Sequence, residues 1–174
     1  MPRTLRSVRV IIVRHGPAAL RDPARWPDDA IRPLTTKGTD QTRTAMRGLV
    51  RYLGKRTRLA SSPAVRCRLT AEMLRTALDP APRLDFWEEL APGALAPPIF
   101  DRIHAAGRAG QDIVIVGHEP TLAEFIGLAL TGEGTPFARL GKPSAACLEF
   151  PVAVRPGAAR LRWLLTRKQM ARAA

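Results

Sequence analysis

Aromatic side chains are scarce in this 174-residue chain, at 5% with a single tyrosine, so aliphatic residues must fill its core. Cysteine is nearly absent. Cys67 and Cys147 lie far apart and form no Cys-x-x-Cys or Cys/His ligand spacing. That excludes a disulfide-stapled fold and a zinc motif, and it fits two reduced thiols in a reducing compartment. No metal or other cofactor is implied. No apolar run approaches the length of a membrane span. The first segment is basic and then apolar, but the run Val10 to Val13 stops at Arg14, too soon for the core of a secretion signal. These absences place the protein in the cytoplasm, with no membrane partner. Acidic residues are also in deficit: 28 Lys and Arg face 15 Asp and Glu, a net charge of +13. Such a balance steers anions toward the surface. Yet the cations are spread along the whole chain, without a helix-turn-helix, zinc-finger or RRM signature or a block of consecutive Lys/Arg. Phosphorylated substrates, protein or small molecule, are therefore favoured over nucleic acid as partners.

The length suits one domain, residues 1–174, with a core large enough to need no staple. Val8 to Val13 is short and β-branched and reads as a buried strand. Residues 18–33, with three prolines and two tandem aspartates, read as an irregular loop. Thr35 or Thr36 caps a helix running to Leu53, which Gly54 ends. Arg58 to Ser61 reads as a second strand. Residues 64–78 read as a helix whose apolar side carries Val65, Leu69, Met73, Leu74 and Leu78. A third strand at 83–87, a short helix at 97–106 and a clear strand at Asp112 to Val116 follow. An apolar helix from Thr121 to Leu130 comes next, and two last strands, Ala145 to Phe150 and Ala159 to Leu165, flank the turn Arg155-Pro156-Gly157. The alternation predicts a three-layer α/β/α sandwich with a mostly parallel central sheet, closed by an antiparallel pair at its edge.

Open α/β sheets bind ligands beyond the carboxyl ends of their strands. Three strand ends here carry reactive residues: Arg14-His15-Gly16, then Ser62-Pro63 with Arg66 one turn on, then Gly117-His118-Glu119. Arg-His-Gly alone arises often by chance, and a single His at a strand end is more often structural than catalytic. The joint pattern, each segment in the same strand-then-turn context, carries the reading. Parallel neighbouring strands would gather two histidines and two arginines at one rim. Guanidinium forks hold phosphoryl oxygens bidentately, and a neutral imidazole can attack phosphorus. Gly16 would let the backbone pass close to the phosphate. His104, on a helix without a motif, reads as a surface residue.

These segments resemble the histidine phosphatase superfamily, and most closely its SixA-type branch, the phosphohistidine phosphatases. Arg32-Pro33-Leu34-Thr35-Thr36-Lys37-Gly38 is similar to the family's Leu-Thr-x-x-Gly helix start. Ser62-Pro63-Ala64-Val65-Arg66 with Thr70-Ala71 is similar to its Ser-Pro-x-x-Arg-x-x-x-Thr-Ala segment, and Val116-Gly117-His118-Glu119-Pro120 to its second-histidine motif. The resemblance implies a phosphoglycerate mutase-like fold and a metal-independent phosphohydrolase. In it His15 is the nucleophile, while Arg14, Arg66 and His118 bind the phosphoryl group; Arg68 falls on a variable position. A carboxylate acid, where the family uses one, falls on Glu88 or Glu89, of which Glu89 is the candidate. The short stretch before Asp112 leaves no substrate-covering insertion and disfavours a mutase. It points to phosphohistidine in a protein, with small phosphorylated metabolites as the alternative. A non-catalytic phosphate- or nucleic-acid-binding module is the reading of another class.

Overall fold

The computed structural model describes residues 7–107, 110–136 and 138–174. At its centre lies a six-stranded sheet in the order β3-β2-β4-β1-β5-β6. The two β-branched runs form β1 (Val8–Arg14) and β4 (Asp112–Gly117), which pair in parallel. β2 (Thr57–Ser61) lies parallel to β4, and β3 (Leu84–Phe86) parallel to β2. β5 (Ser144–Phe150) runs antiparallel to β1, and β6 (Arg160–Thr166) antiparallel to β5. The expected antiparallel pair thus forms one edge of an otherwise parallel sheet.

Successive strand residues point to opposite faces, and both faces of the inner strands are covered. Val10 and Ile12 of β1 join the core under α3 (Pro98–Ala106) and α4 (Thr121–Thr131). Ile11 and Val13 join the one under α1 (Thr36–Leu49), α2 (Val65–Ala77) and α5 (Arg167–Arg172). All four side chains are fully buried, each stabilising the fold by roughly 1.5–3 kcal/mol. This double burial is why β1 and β4 are apolar without alternation, and it produces the three layers.

Three local features differ from the sequence expectation. The first helix stops at Leu49, and Val50–Tyr52 tighten into a 3-10 turn. Gly54 lies beyond, donating its N–H to Asp112 Oδ2 at 2.6 Å, which ties the exit of α1 to the start of β4. On α2 the sheet-facing stripe is Cys67, Ala71 and Leu74, whereas Leu69 is 37% exposed. Of the expected apolar side, Leu74 is fully buried and Met73 and Leu78 pack against the same core, while Cys67 and Ala71 take the inward places expected of Val65 and Leu69. The helix α5 is an addition. Thr166 and Gln169 close a capping box on it, with Gln169 Oε1 accepting from Thr166 N–H at 2.8 Å. Its Met170 is fully buried. The crossing with α1 is tight because a Cβ at Gly48 would collide with the Met170 carbonyl. Among the described residues no helix is long and apolar enough to cross a membrane.

Candidate active site

Strand register builds the site. Arg14 of β1 pairs with Gly117 of β4, and Ser61 of β2 with Val116. The next residue on each strand is therefore carried out at the same rim. His15 N–H bonds to Gly117 O at 3.2 Å, and Ser62 N–H to Val116 O at 2.8 Å. The His15 and His118 rings end 5.1 Å apart between centroids, tilted by 58°. Both are buried, as is Arg66, which the first turn of α2 delivers from β2.

The two imidazoles are held in defined states. His15 Nδ1 lies 2.7 Å from Gly16 O; a carbonyl only accepts, so Nδ1 carries the proton and Nε2 keeps its lone pair. Burial pushes the His15 pKa down to about 3, with the Gly16 bond opposing and His118, Arg66 and Lys142 adding to the depression. His118 is likewise pushed down to about 3 by burial and then by Arg66. Both rings are therefore neutral near pH 7. Ser62 Oγ accepts from Ala64 N–H at 3.2 Å and lies 2.9 Å from His118 Nε2. That contact fixes the orientation of the His118 ring, whichever of its nitrogens carries the proton. Cys67 Sγ sits 3.3 Å from the same Nε2. Burial pushes its thiol up to about 12, only partly opposed by Arg66, so it is no nucleophile.

The arginines are anchored at their tips. Arg66 Nη1 donates to Asp29 O at 2.7 Å and Nη2 to Asp29 Oδ2 at 2.9 Å. Asp29 opens a 3-10 turn whose N-cap, Asp28, accepts from Ala30 N–H at 2.8 Å, and Arg32 holds the same carboxylate at 2.9 Å. Burial alone would raise the Asp29 pKa, but Arg32 and Arg66 bring it below the usual carboxylate range. Arg14 Nη1 donates to Leu140 O, and Leu140 N–H in turn donates to Glu119 Oε1 at 2.8 Å. Each guanidinium keeps a buried Nε without a hydrogen-bond partner. A buried N–H in that condition costs roughly 1–3 kcal/mol unless a ligand meets it. The rim therefore holds two unpaired guanidinium donors beside two neutral imidazoles, an arrangement suited to a multiply charged oxyanion.

The structure brings together Arg14, His15, Arg66 and His118. Gly16 lies beside them, but its N–H goes to Thr70 Oγ1 at 3.1 Å, and its carbonyl holds His15. A Cβ there would run into the Thr42 side chain, so packing against α1 also favours glycine at this position. Glu89 is not drawn in. Its carboxylate pairs with Arg102 of α3 at 3.4 Å, and among the described residues neither it nor Glu88 bonds to a group of the pocket. Arg68 is exposed over the Phe86 ring and His104 is exposed. Sequence reasoning missed Asp29, Arg32 and Thr70 as supports. The tandem aspartates at 28–29 were the visible signal for the first. Beside Arg14 opens a cleft of about 580 Å³, walled by Pro120, Ala123, Pro136, Ala138 and Arg139. No group of three or more His, Cys, Asp or Glu side chains that could hold a metal ion occurs among the described residues.

Comparisons with known proteins bear on the family and the fold. Residues 10–95 match the model of the histidine phosphatase superfamily (branch 1). An uncharacterized protein of Picosynechococcus sp. is 35% identical over 152 residues, covering 85% of each chain. The phosphohistidine phosphatase SixA of Escherichia coli is 28% identical over 130 residues, covering 74% of this chain and 78% of that protein. A solved structure of the protein histidine phosphatase SixA complexed with tungstate superposes with a TM-score of 0.77 at 23% identity, over 92% of this chain and 97% of that one.

Proposed function

Because the chain belongs to the histidine phosphatase superfamily, and so is a phosphohydrolase, we propose that it removes the phosphoryl group from phosphohistidine in a protein, with the whole chain acting as one catalytic domain. The observation that carries the proposal is the His15 tautomer, with Nδ1–H on Gly16 O at 2.7 Å and Nε2 unprotonated. Nε2 attacks phosphorus in line; the bond from phosphorus to the substrate nitrogen breaks as the bond to Nε2 forms. Arg14 and Arg66, through their unpaired Nε–H groups, and His118, through its ring N–H, meet the phosphoryl oxygens as charge builds on them. The departing imidazole nitrogen takes its proton from water. A second water then attacks phosphorus and breaks the bond to Nε2, releasing inorganic phosphate, and the proton it sheds neutralises the hydroxide left by the first. Nitrogen leaving groups are readily protonated, so the first step needs no carboxylate acid, and Glu89, already paired with Arg102, has no part in it.

Support for the protein substrate comes from the likeness to the E. coli phosphohistidine phosphatase. A second reading, a small phosphorylated metabolite, is favoured by the largely apolar cleft beside Arg14, which has the size for an organic leaving group. The test is a panel of a histidine-phosphorylated protein, phosphoramidate, sugar phosphates and nucleotides, each run with wild type and His15→Ala. The variant should lose turnover and yield no trappable phosphoenzyme. Chelators should leave wild type unchanged, since two guanidinium groups already meet the phosphoryl charge. Equal or better kcat/KM on a sugar phosphate than on the phosphoprotein would overturn the substrate assignment, and full activity in His15→Ala would overturn the mechanism.

A further inference from the structure

The segment Arg139–Pro143 lies between the cleft beside Arg14 and a second groove, with Arg139 lining both. Leu140 is fully buried and pins the segment on the pocket side, its carbonyl held by Arg14 and its N–H by Glu119. On the other side, Ser144 Oγ donates to Gly141 O at 3.0 Å. Beyond it lies a groove of about 330 Å³ over the ends of β5 and β6, lined by Pro143 and Leu164 and by the cations Arg139, Lys142, Arg167 and Lys168. No carboxylate lines it. Among the described residues none of these four cations makes an ion pair. Lys142 has its pKa lowered by burial and then by Arg14, Arg32, Arg66 and Arg139, so the cations of pocket and groove feel one another. Crowding like charges around a groove without a counter-ion is unfavourable unless an anionic partner enters.

Resting on the phosphohistidine-protein reading, we propose that this groove is the docking site for acidic side chains of the phosphoprotein substrate. Its reach is set by the sheet. Arg14 pairs with Ser144, and Ser144 with Thr166. Two strand spacings, roughly 10 Å, therefore separate the phosphate-binding strand from the far wall of the groove. Carboxylates about that far from the phosphohistidine reach Arg167 and Lys168 while the phosphoryl group enters the pocket. A lone phosphoryl group cannot span both.

The test uses the full chain with two substrates: phosphoramidate, and a histidine-phosphorylated carrier domain with Glu residues about 10 Å from its phosphohistidine. The same domain with those residues changed to Gln is the control. The enzyme variant is Arg167→Glu with Lys168→Glu, checked for an unchanged circular dichroism spectrum and melting. Wild type should show a KM for the Glu form about tenfold below that for the Gln form at low salt, with similar kcat. In the variant that difference should vanish or invert, while KM for phosphoramidate moves less than twofold. Equal KM for both protein forms in wild type, or a KM for the Glu form unmoved by the charge reversal, overturns the groove alone. Turnover of phosphoramidate but of neither protein form overturns the protein-substrate reading, and the groove's assignment with it.

Discussion

Replacing Gly16 by Ala tests the architecture that holds the nucleophile. A Cβ at this position would be driven inside contact distance of Thr42 Oγ1, with Thr42 Cβ at 3.1 Å and Cγ2 at 3.3 Å, against ordinary carbon contacts of about 3.5–4.0 Å. Thr42 cannot easily yield, because it is fully buried on α1 and its hydroxyl donates to Gly38 O at 2.6 Å. The backbone at residue 16 must move by roughly 1 Å. That displaces the carbonyl bonded to His15 Nδ1 and turns Nε2 off its line of attack. A misplacement of that size costs on the order of 10²-fold in rate, and overpacking adds about 1–3 kcal/mol of destabilisation. Thr42→Ala removes Oγ1 and Cγ2 but leaves Cβ, so relief should be partial. The double variant should recover about tenfold in kcat/KM over Gly16→Ala, with a coupling of about 1–2 kcal/mol in melting. Single-turnover hydrolysis of phosphoramidate and denaturant unfolding of the four proteins give both numbers. Wild-type activity in Gly16→Ala, or no recovery on adding Thr42→Ala, would refute the reasoning.

With both imidazoles pushed down to about 3, their NMR resonances should stay flat from pH 8 to 5, where an ordinary histidine titrates. Since the unfolded chain binds these protons near pH 6.5 and the native pocket only near 3, stability should fall as pH drops through that interval and level off below it, as urea midpoints would show. Asp29→Ala removes the carboxylate facing Arg66, whose side chain is 3% exposed while that of Asp29 is 30% exposed. Discounted for that exposure, the loss should be about 1–2 kcal/mol, and phosphate should raise Tm more in the variant than in wild type, since the anion supplies the missing charge. Iodoacetamide should leave the native enzyme active and alkylate Cys67 only after unfolding, by mass spectrometry, because the thiol is buried and pushed up to about 12. Met170→Ala should destabilise by about 2–4 kcal/mol in thermal melts, as a fully buried side chain is lost between α1 and α5.

The strands β1 and β4 were readable because double burial leaves a short apolar run of β-branched residues. Their shared context, a reactive residue just past the last β-branched one, was enough to place His15 and His118 side by side. The face of α2 was readable in part: Leu74, with Met73 and Leu78 against the same core, was legible, whereas Cys67 and Ala71 in place of Val65 and Leu69 were not, because the helix carries two overlapping apolar stripes. The helix α5 has six residues, too few to show a period, and its Thr166–Gln169 pair was the sole clue. Asp29 and Arg66 are 37 positions apart, and no spacing rule links an irregular loop to a helix start. What local pattern encodes was visible; contacts closed by the tertiary fold were not.

The two strands that bear the histidines are interior, with a hydrogen-bonded neighbour on either side. The segments beside the entrance reach back onto that rigid frame: Asp29 holds the Arg66 guanidinium, and the Leu140 carbonyl holds Arg14. The loops therefore carry part of the grip on phosphate as well as shaping what can enter. A loop exchange that keeps Asp29 and the Leu140 carbonyl in place is the one expected to admit new substrates without a single change inside the sheet.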